Sequence, residues 1–367
     1  MVSMMSGRRE RLAAVVVAAV LVTGGSPGFA RQAPGPKAAR FRVETRTYFG
    51  KIPREAQSTD CWLPIPFPDV HQRIEQLMAQ GPFNISTNEI ADHQTIAGYL
   101  HSGPRGGVPM QVLIGFFVER TEQVHGNLEG VPARAPGEED RKIGERWLKP
   151  DPTGLPDDDL RSRASKIASK EKTALGKARA IFEYVVANVA LLSSPRELQG
   201  AGLGNLSVTL KMMKGDSLDM AAAFVALCRA AGVPARTVTG WKFPAGIRRG
   251  SVDGYYGWAE FYLPGTGWIP VDPAEARRNP TRKAYSFGSV DERRLALAVG
   301  REVHLNPPQA GVPLNYFINP YWECDGKTMP DPRQEVQYEE VAEIPSSEIQ
   351  LRPKAPGSPP SNPPPNP

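Results

Sequence analysis

The residues best placed to do chemistry lie in Lys214-Gly215-Asp216-Ser217-Leu218-Asp219-Met220, which runs on through Ala221–Ala222–Ala223 to Gly232-Val233-Pro234-Ala235-Arg236. The pattern predicts a helix over about 217–231. Asp216 or Ser217 can cap it, because a short side-chain oxygen accepts a hydrogen bond from a first-turn N–H that otherwise has no partner. Gly232 and Pro234 end it. The start of such a helix carries free N–H groups and the positive end of the dipole, which favours an anionic nucleophile such as a thiolate. This chain places a serine there. A serine hydroxyl is hard to ionise and needs an adjacent base. Lys214 or Lys211 could supply one in a serine–lysine dyad, although Lys214 precedes a glycine turn and must fold back to do so. Asp219 reads as a helix-start charge favoured by the dipole.

Other reactive side chains are sparse. The five histidines are His71, His93, His101, His125 and His304, none of them in this stretch. The three cysteines are Cys61, Cys228 and Cys324. Cys228 falls within the helix pattern and packs as a small hydrophobe, which leaves Cys61–Cys324 as the pair to bridge in an oxidising compartment. No His/Cys cluster has zinc spacing, and there is no phosphate loop or dinucleotide fingerprint, so neither a metal nor a cofactor is expected.

The elements that must position the serine belong to a chain of 367 residues, 40% hydrophobic and 23% charged, as in a soluble globular protein. Residues 1–30 read as a signal peptide: Arg8, Arg9 and Arg11, the apolar run Leu12 to Val22, then Gly28-Phe29-Ala30. An uncleaved N-terminal anchor is the alternative. No other apolar run is long enough to span a membrane. The expected location is secreted, periplasmic or cell-envelope. The formal charge is +5, and removing three Arg and one Glu with residues 1–30 leaves about +3. The basic residues are scattered, which argues against a nucleic-acid partner.

Residues 31–39 form a Pro/Ala/Gly linker. Alternation from Phe41, the Cys61–Pro66 segment, Thr95 to Leu100 and Val108 to Val118 predict a small β-domain over 40–125, sandwich-like. Residues 126–158, rich in Gly, Pro and charge, read as a connector. Helices are predicted at Asp157 to Ser169 and Thr173 to Ala190, with a glycine-containing loop at Leu198 to Leu206 before the central helix. Strands follow at Arg236 to Phe243, Tyr256 to Leu263 and Trp268 to Asp272, the last two joined by the turn Pro264-Gly265-Thr266-Gly267. A helix backed by antiparallel strands is an α+β layout. The second domain spans 159–330, and 331–367 is a C-terminal Pro-rich disordered tail.

The runs KGDSLDMAAAFVALCRAAGVPAR and GYYGWAEFYLPGTGWIPVDPAE resemble the transglutaminase-like superfamily, whose core is similar to that of papain-like cysteine proteases. The segment from Phe287 to Lys327 resembles the end of bacterial secreted members, so the resemblance spans about 170–327. It implies a central helix packed on an antiparallel sheet and a Cys-His-Asp triad for acyl transfer or proteolysis. In the family the helix begins G-x-C, the next strand carries H-x-W, and an aspartate ends the strand after the hairpin. At those positions this chain has Ser217, Tyr256 followed by Gly257-Trp258, and Asp272. Tyrosine is a poor base near neutral pH, with an ordinary pKa of about 10. The resemblance therefore implies a pseudoenzyme whose groove binds a peptide or protein segment, with Trp258, Asp219, Arg236 and Trp241 as candidate groove residues. Two alternatives stay open: an active hydrolase or acyltransferase using Ser217, and a structural envelope interaction module. The sequence also suggests that Tyr256 hydrogen-bonds Asp272, which otherwise lacks a histidine donor, and that Arg236 anchors a carboxylate or a backbone carbonyl.

Overall fold

Buried residues at every second position from Phe41 to Phe49, with Thr45 and Thr47 among them, build the first strand, which lies at the centre of a five-stranded sheet. The computed structural model describes residues 35–82, 84–130, 134–150, 157–192 and 203–343. The proposed signal peptide, most of the linker and the proline-rich end lie outside these residues. The first half of the chain supplies β1 (Ala38–Lys51), β2 (Thr59–Pro66), β3 (Gln72–Gln80), β4 (Ser86–Ile90), β5 (Thr95–Ser102), β6 (Pro109–Thr121) and a short β7 (Gln123–Val124). Next come α1 (Glu138–Trp147), α2 (Asp157–Ile167), α3 (Ala174–Asn188), β8 (Ala190–Leu191), α4 (Leu206–Met212), β9 (Lys214–Gly215) and the central helix α5 (Ser217–Ala230). After α5 the chain forms β10 (Ala235–Lys242), β11 (Arg249–Val252), β12 (Tyr256–Leu263), β13 (Gly267–Val271), α6 (Pro273–Arg278), β14 (Ser289–Val290), β15 (Arg294–Val299), β16 (Tyr321–Cys324), β17 (Lys327–Thr328) and β18 (Arg333–Val341).

Two five-stranded sheets, in the orders β11-β18-β1-β6-β3 and β17-β16-β2-β5-β4, share one apolar core. Phe41, Val43, Phe116 and Val118 of the first meet Cys61, Leu63, Leu100 and Trp322 of the second. A four-stranded antiparallel sheet, β13-β12-β10-β15, backs α5. Helix α5 is buried along most of its length, and Ala221, Ala223, Phe224 and Leu227 pack in a core with Ala259 and Phe261 of β12 and Ile181 and Phe182 of α3. The architecture is mixed α and β with antiparallel sheets.

Four features differ from the sequence reading. Residues 331–341 are not tail: β18 pairs with β1 and β11, and its inward Val336 and Tyr338 enter the sandwich core. The β-rich part is therefore closed by segments from both ends of the chain, and residues from Pro36 onward cluster as one unit. The connector contains α1, whose buried Trp147 joins the core under α5, while Asp140 hydrogen-bonds the Gly137 N–H at its start. Its acidic surface residues hide an i, i+4 pair, Ile143 and Trp147, that faces inward. The cysteines are free. Cys61 stands opposite Trp322 and Cys324 opposite Thr59, which makes the two diagonal neighbours. Diagonal Cα atoms lie about 7–8 Å apart in such a ladder, beyond the reach of an unstrained disulfide. No helix of the described residues is long and apolar enough to cross a membrane.

Candidate functional site

Helix α5 begins with a reciprocal cap. Asp216 is the capping residue: its carboxylate accepts from the Asp219 N–H at 2.9 Å, and Asp219 Oδ2 accepts from the Asp216 N–H at 3.0 Å. Ser217 is thus the first helical residue. Strand β12 runs hard against this helix start, because a Cβ on Gly257 would come within 2.6 Å of the Leu218 Cα. Glycine there lets the Gly257 N–H reach out of the sheet and donate to Ser217 Oγ at 3.1 Å. Among the described residues this is the one hydrogen bond of the Ser217 hydroxyl. It is not made to Lys211, to Lys214 or to any histidine.

Tyr256 and Asp272 do meet. The buried Tyr256 hydroxyl is 3.1 Å from both carboxylate oxygens of Asp272. Asp272 also caps α6, accepting from the Glu275 N–H at 2.8 Å, and its Oδ2 accepts from Arg294 Nη2 at 2.8 Å. Arg294 is almost fully buried and reaches Asp291 at 2.7 Å and Glu275 at 3.4 Å. Its guanidinium carbon lies 4.8 Å from the Tyr256 ring centroid, and Lys242 Nζ lies 5.0 Å from that centroid. Lys242 donates to Glu275 at 2.6 Å.

The charges shape one another. Burial raises the Tyr256 pKa far above its ordinary value, and the Asp272 charge adds to this. The phenol therefore stays protonated and acts as a donor. Burial and the Arg294 charge lower the Lys242 pKa. Burial pushes the Glu275 and Asp291 pKa values up, but their cationic neighbours win and hold both below the ordinary carboxylate range. These groups form one hydrogen-bonded network in which Asp272 has three donors.

The start of α5 is covered. Leu218 packs with Tyr316, Ile318 and Tyr255. The Tyr255 hydroxyl donates to Asp216 at 2.5 Å and accepts from the Leu203 N–H at 3.1 Å. Arg301 donates to Gly204 O and Asn315 to Leu203 O, tying residues 203–204 to the 301–318 segment.

The four groove candidates are all buried. Trp241 belongs to the sandwich core and Trp258 to the core beneath α5, because alternation carries both rings inward. Asp219 is buried by its capping duty and also accepts from the Asn205 N–H at 3.1 Å. Arg236 is buried against Glu260 at 2.7 Å and stacks on Trp268 at 4.0 Å, so its partner is a carboxylate. Sequence reasoning missed Arg294, Lys242 and Tyr255. An arginine at an inward position of an apolar strand was the available signal for Arg294. Its partner, 22 residues earlier, is visible only once the strands are in register.

Residues 161–273 match the family model described as the transglutaminase-like superfamily. An uncharacterized protein of Haemophilus influenzae is 26% identical over 337 residues, covering 81% of this chain and 90% of its own. A solved chain from Cytophaga hutchinsonii, described as a suspected cysteine protease, superposes with a TM-score of 0.56 at 16% identity, covering 86% of this chain and 95% of that one. That likeness bears on the fold. The periplasmic domain of TgpA from Pseudomonas aeruginosa matches more loosely, with a TM-score of 0.34 at 18% identity over 66% of this chain and 92% of its own.

Proposed function

We propose that residues 161–273, which match the transglutaminase-like family model, perform no acyl transfer and act as a binding module of the cell envelope or secreted space. The observation that carries this reading is the state of Asp272. Its carboxylate accepts from the Tyr256 hydroxyl, the Arg294 guanidinium and the Glu275 N–H, so the group it holds at position 256 is a protonated phenol and not a base. Ser217 Oγ accepts a backbone N–H and, among the described residues, hydrogen-bonds no base.

The partner is a peptide or protein segment. It meets the cover over the start of α5, where Leu203 is exposed between the Tyr255 and Asn315 contacts. The basic and apolar N-terminal pattern of residues 1–30 supports export. The test has two arms. Dye-labelled casein with a primary amine should be neither cleaved nor transamidated at any pH from 5 to 9. A peptide array should retain the protein, and Leu203→Ser should weaken that retention at least several-fold. Turnover that disappears in Ser217→Ala would reject the inert reading, and an array without binding would reject the binding module.

A further inference from the structure

We propose that Arg120 anchors a carboxylate-binding site at the seam between the β-sandwich and the helix-backed sheet, separate from the start of α5. The site stands on this seam alone, whether or not the domain is inert.

Strand β6 sends an apolar stripe into the sandwich at Val112, Ile114, Phe116 and Val118, and the next inward position is Arg120. Its cross-strand partner on β3 is Gln72, so the two side chains share a face. Gln72 is bonded to the Ala296 backbone of β15, which sets that face against the helix-backed sheet. Arg120 is only 3% exposed. Its Nε and Nη1 nevertheless have no hydrogen-bond acceptor among the described residues. Asp69 Oδ1 comes within 3.6 Å of Nη1, which is longer than a hydrogen bond. Burial lowers the Arg120 pKa, and the acids around it only partly offset this. A buried guanidinium calls for acceptors, because leaving charged N–H groups unpaired is costly.

The acids nearby are committed elsewhere. Asp69 Oδ1 accepts from the His71 N–H at 2.6 Å. Glu260 of β12 and Asp291, just before β15, lie within electrostatic reach of Arg120. Glu260 is held by Arg236 at 2.7 Å, and Arg236 is stacked on Trp268. Asp291 is held by Arg294 at 2.7 Å and by Arg282 at 3.1 Å. Two half-buried imidazoles complete the surroundings. His71 is within electrostatic reach of Arg120, Asp69 and Glu260, and His125 is within reach of Glu260 and hydrogen-bonded to the Trp268 backbone. Burial and the Arg120 charge lower the His71 pKa, so its ring is neutral at pH 7 and carries one N–H to donate.

The group that fits is a pure acceptor whose two oxygens match the spacing of a guanidinium fork, which is a carboxylate. The negative charges of Asp69 and Glu260 favour a single charge over a phosphate dianion. A free organic acid and the end of a peptide chain offer the same group.

The experiment uses the full chain at pH 7 and constant ionic strength, with sodium acetate replacing sodium chloride. Acetate should raise the melting temperature saturably, by about 3 °C or more. It should also shift the Arg120 Nε–H resonance, identified in the NMR spectrum by its loss in Arg120→Met. Arg120→Met keeps an apolar stem without the fork and should weaken acetate binding by about tenfold or more. If that variant fails to fold by circular dichroism, Arg120→Lys, which keeps the charge without the fork, should weaken binding by a similar factor. Phosphate should give the smaller response. Trialanine and its C-terminal amide separate the two sources. Tighter binding of trialanine than of acetate, with the amide silent, assigns a chain end, and acetate binding as tightly as trialanine assigns a free acid. A melting temperature and resonance unmoved by either acetate or trialanine would overturn the site. So would an equal response in Arg120→Met, or a larger response to phosphate than to acetate.

Discussion

At the residue scale, the serine at 217 has a structural task. Its Oγ accepts the buried Gly257 N–H, a donor that points out of the sheet and would otherwise lack a partner. Stranding such a donor costs about 1–3 kcal/mol. Ser217→Ala should therefore lower the stability measured by urea denaturation by about 1–2 kcal/mol while leaving binding intact. An unchanged midpoint would assign the N–H another acceptor. Tyr256→Phe removes one of three donors to Asp272 and should cost a similar 1–2 kcal/mol. Arg294 and the Glu275 N–H remain to hold the carboxylate.

The carboxylates set the pH dependence. Glu275 and Asp291 have depressed pKa values in the folded state. A depressed acid contributes stability that is fully present above its unfolded pKa, about 4. That contribution is lost as pH falls through the folded value. Melting temperature should thus hold from pH 7 to about 5 and drop below about 4. A Glu275→Gln variant should show a shallower acid limb, and identical limbs would remove this network from the account.

At the element scale, α5 is the part the sequence displays most openly. Its cap, its small-residue run and its Gly-x-Pro stop are local signals, and the predicted 217–231 falls within one residue of the observed Ser217–Ala230. Strands β12 and β13 were equally visible from alternation and the Gly265–Gly267 turn. The capping box also anchors the cover over the start of α5, because Asp216 receives the Tyr255 hydroxyl and Asp219 receives the Asn205 N–H. Asp216→Ala should cost about 1 kcal/mol from the cap alone. It should also raise hydrogen exchange at Leu203, whose N–H is held by the same Tyr255 hydroxyl. Slow exchange at Leu203 in that variant would show that the cover stands without the cap.

Two elements were hidden for physical reasons. In α1 the acidic first turn dominates the composition, and only the packing of Ile143 and Trp147 reveals the buried face. In β18 the alternation of Val336 and Tyr338 is present, but a solitary strand between proline-rich stretches gains meaning only from β1, about 290 residues earlier in the chain.

At the scale of the whole molecule, the β-sandwich and the helix-backed sheet are joined by polar ties. Gln72 of β3 exchanges two hydrogen bonds with the Ala296 backbone of β15, at 2.9 and 3.0 Å. Gln94 receives Arg236 Nη2 at 3.2 Å, and His93 Nδ1 meets Val299 O at 2.8 Å. Trp241, Phe243, Leu295 and Leu297 extend from the helix-backed sheet into the sandwich core. None of these partners is close in sequence, so the sequence divides the chain where the structure unites it. Because β18 lies between β1 and β11, deleting residues 333–343 should abolish cooperative unfolding of the sandwich, with loss of near-ultraviolet dichroism and gain of dye binding. A truncated chain with a wild-type melting curve would make that strand dispensable.

The central claim is that the serine at 217 is chemically idle because position 256 beside it carries a protonated phenol in place of a base. Labelling the full chain with a fluorophosphonate probe and reading the adduct by intact mass tests it most directly. The account predicts no adduct beyond that of Ser217→Ala at any pH from 5 to 9. Stoichiometric labelling of Ser217, lost in Ser217→Ala, would contradict it.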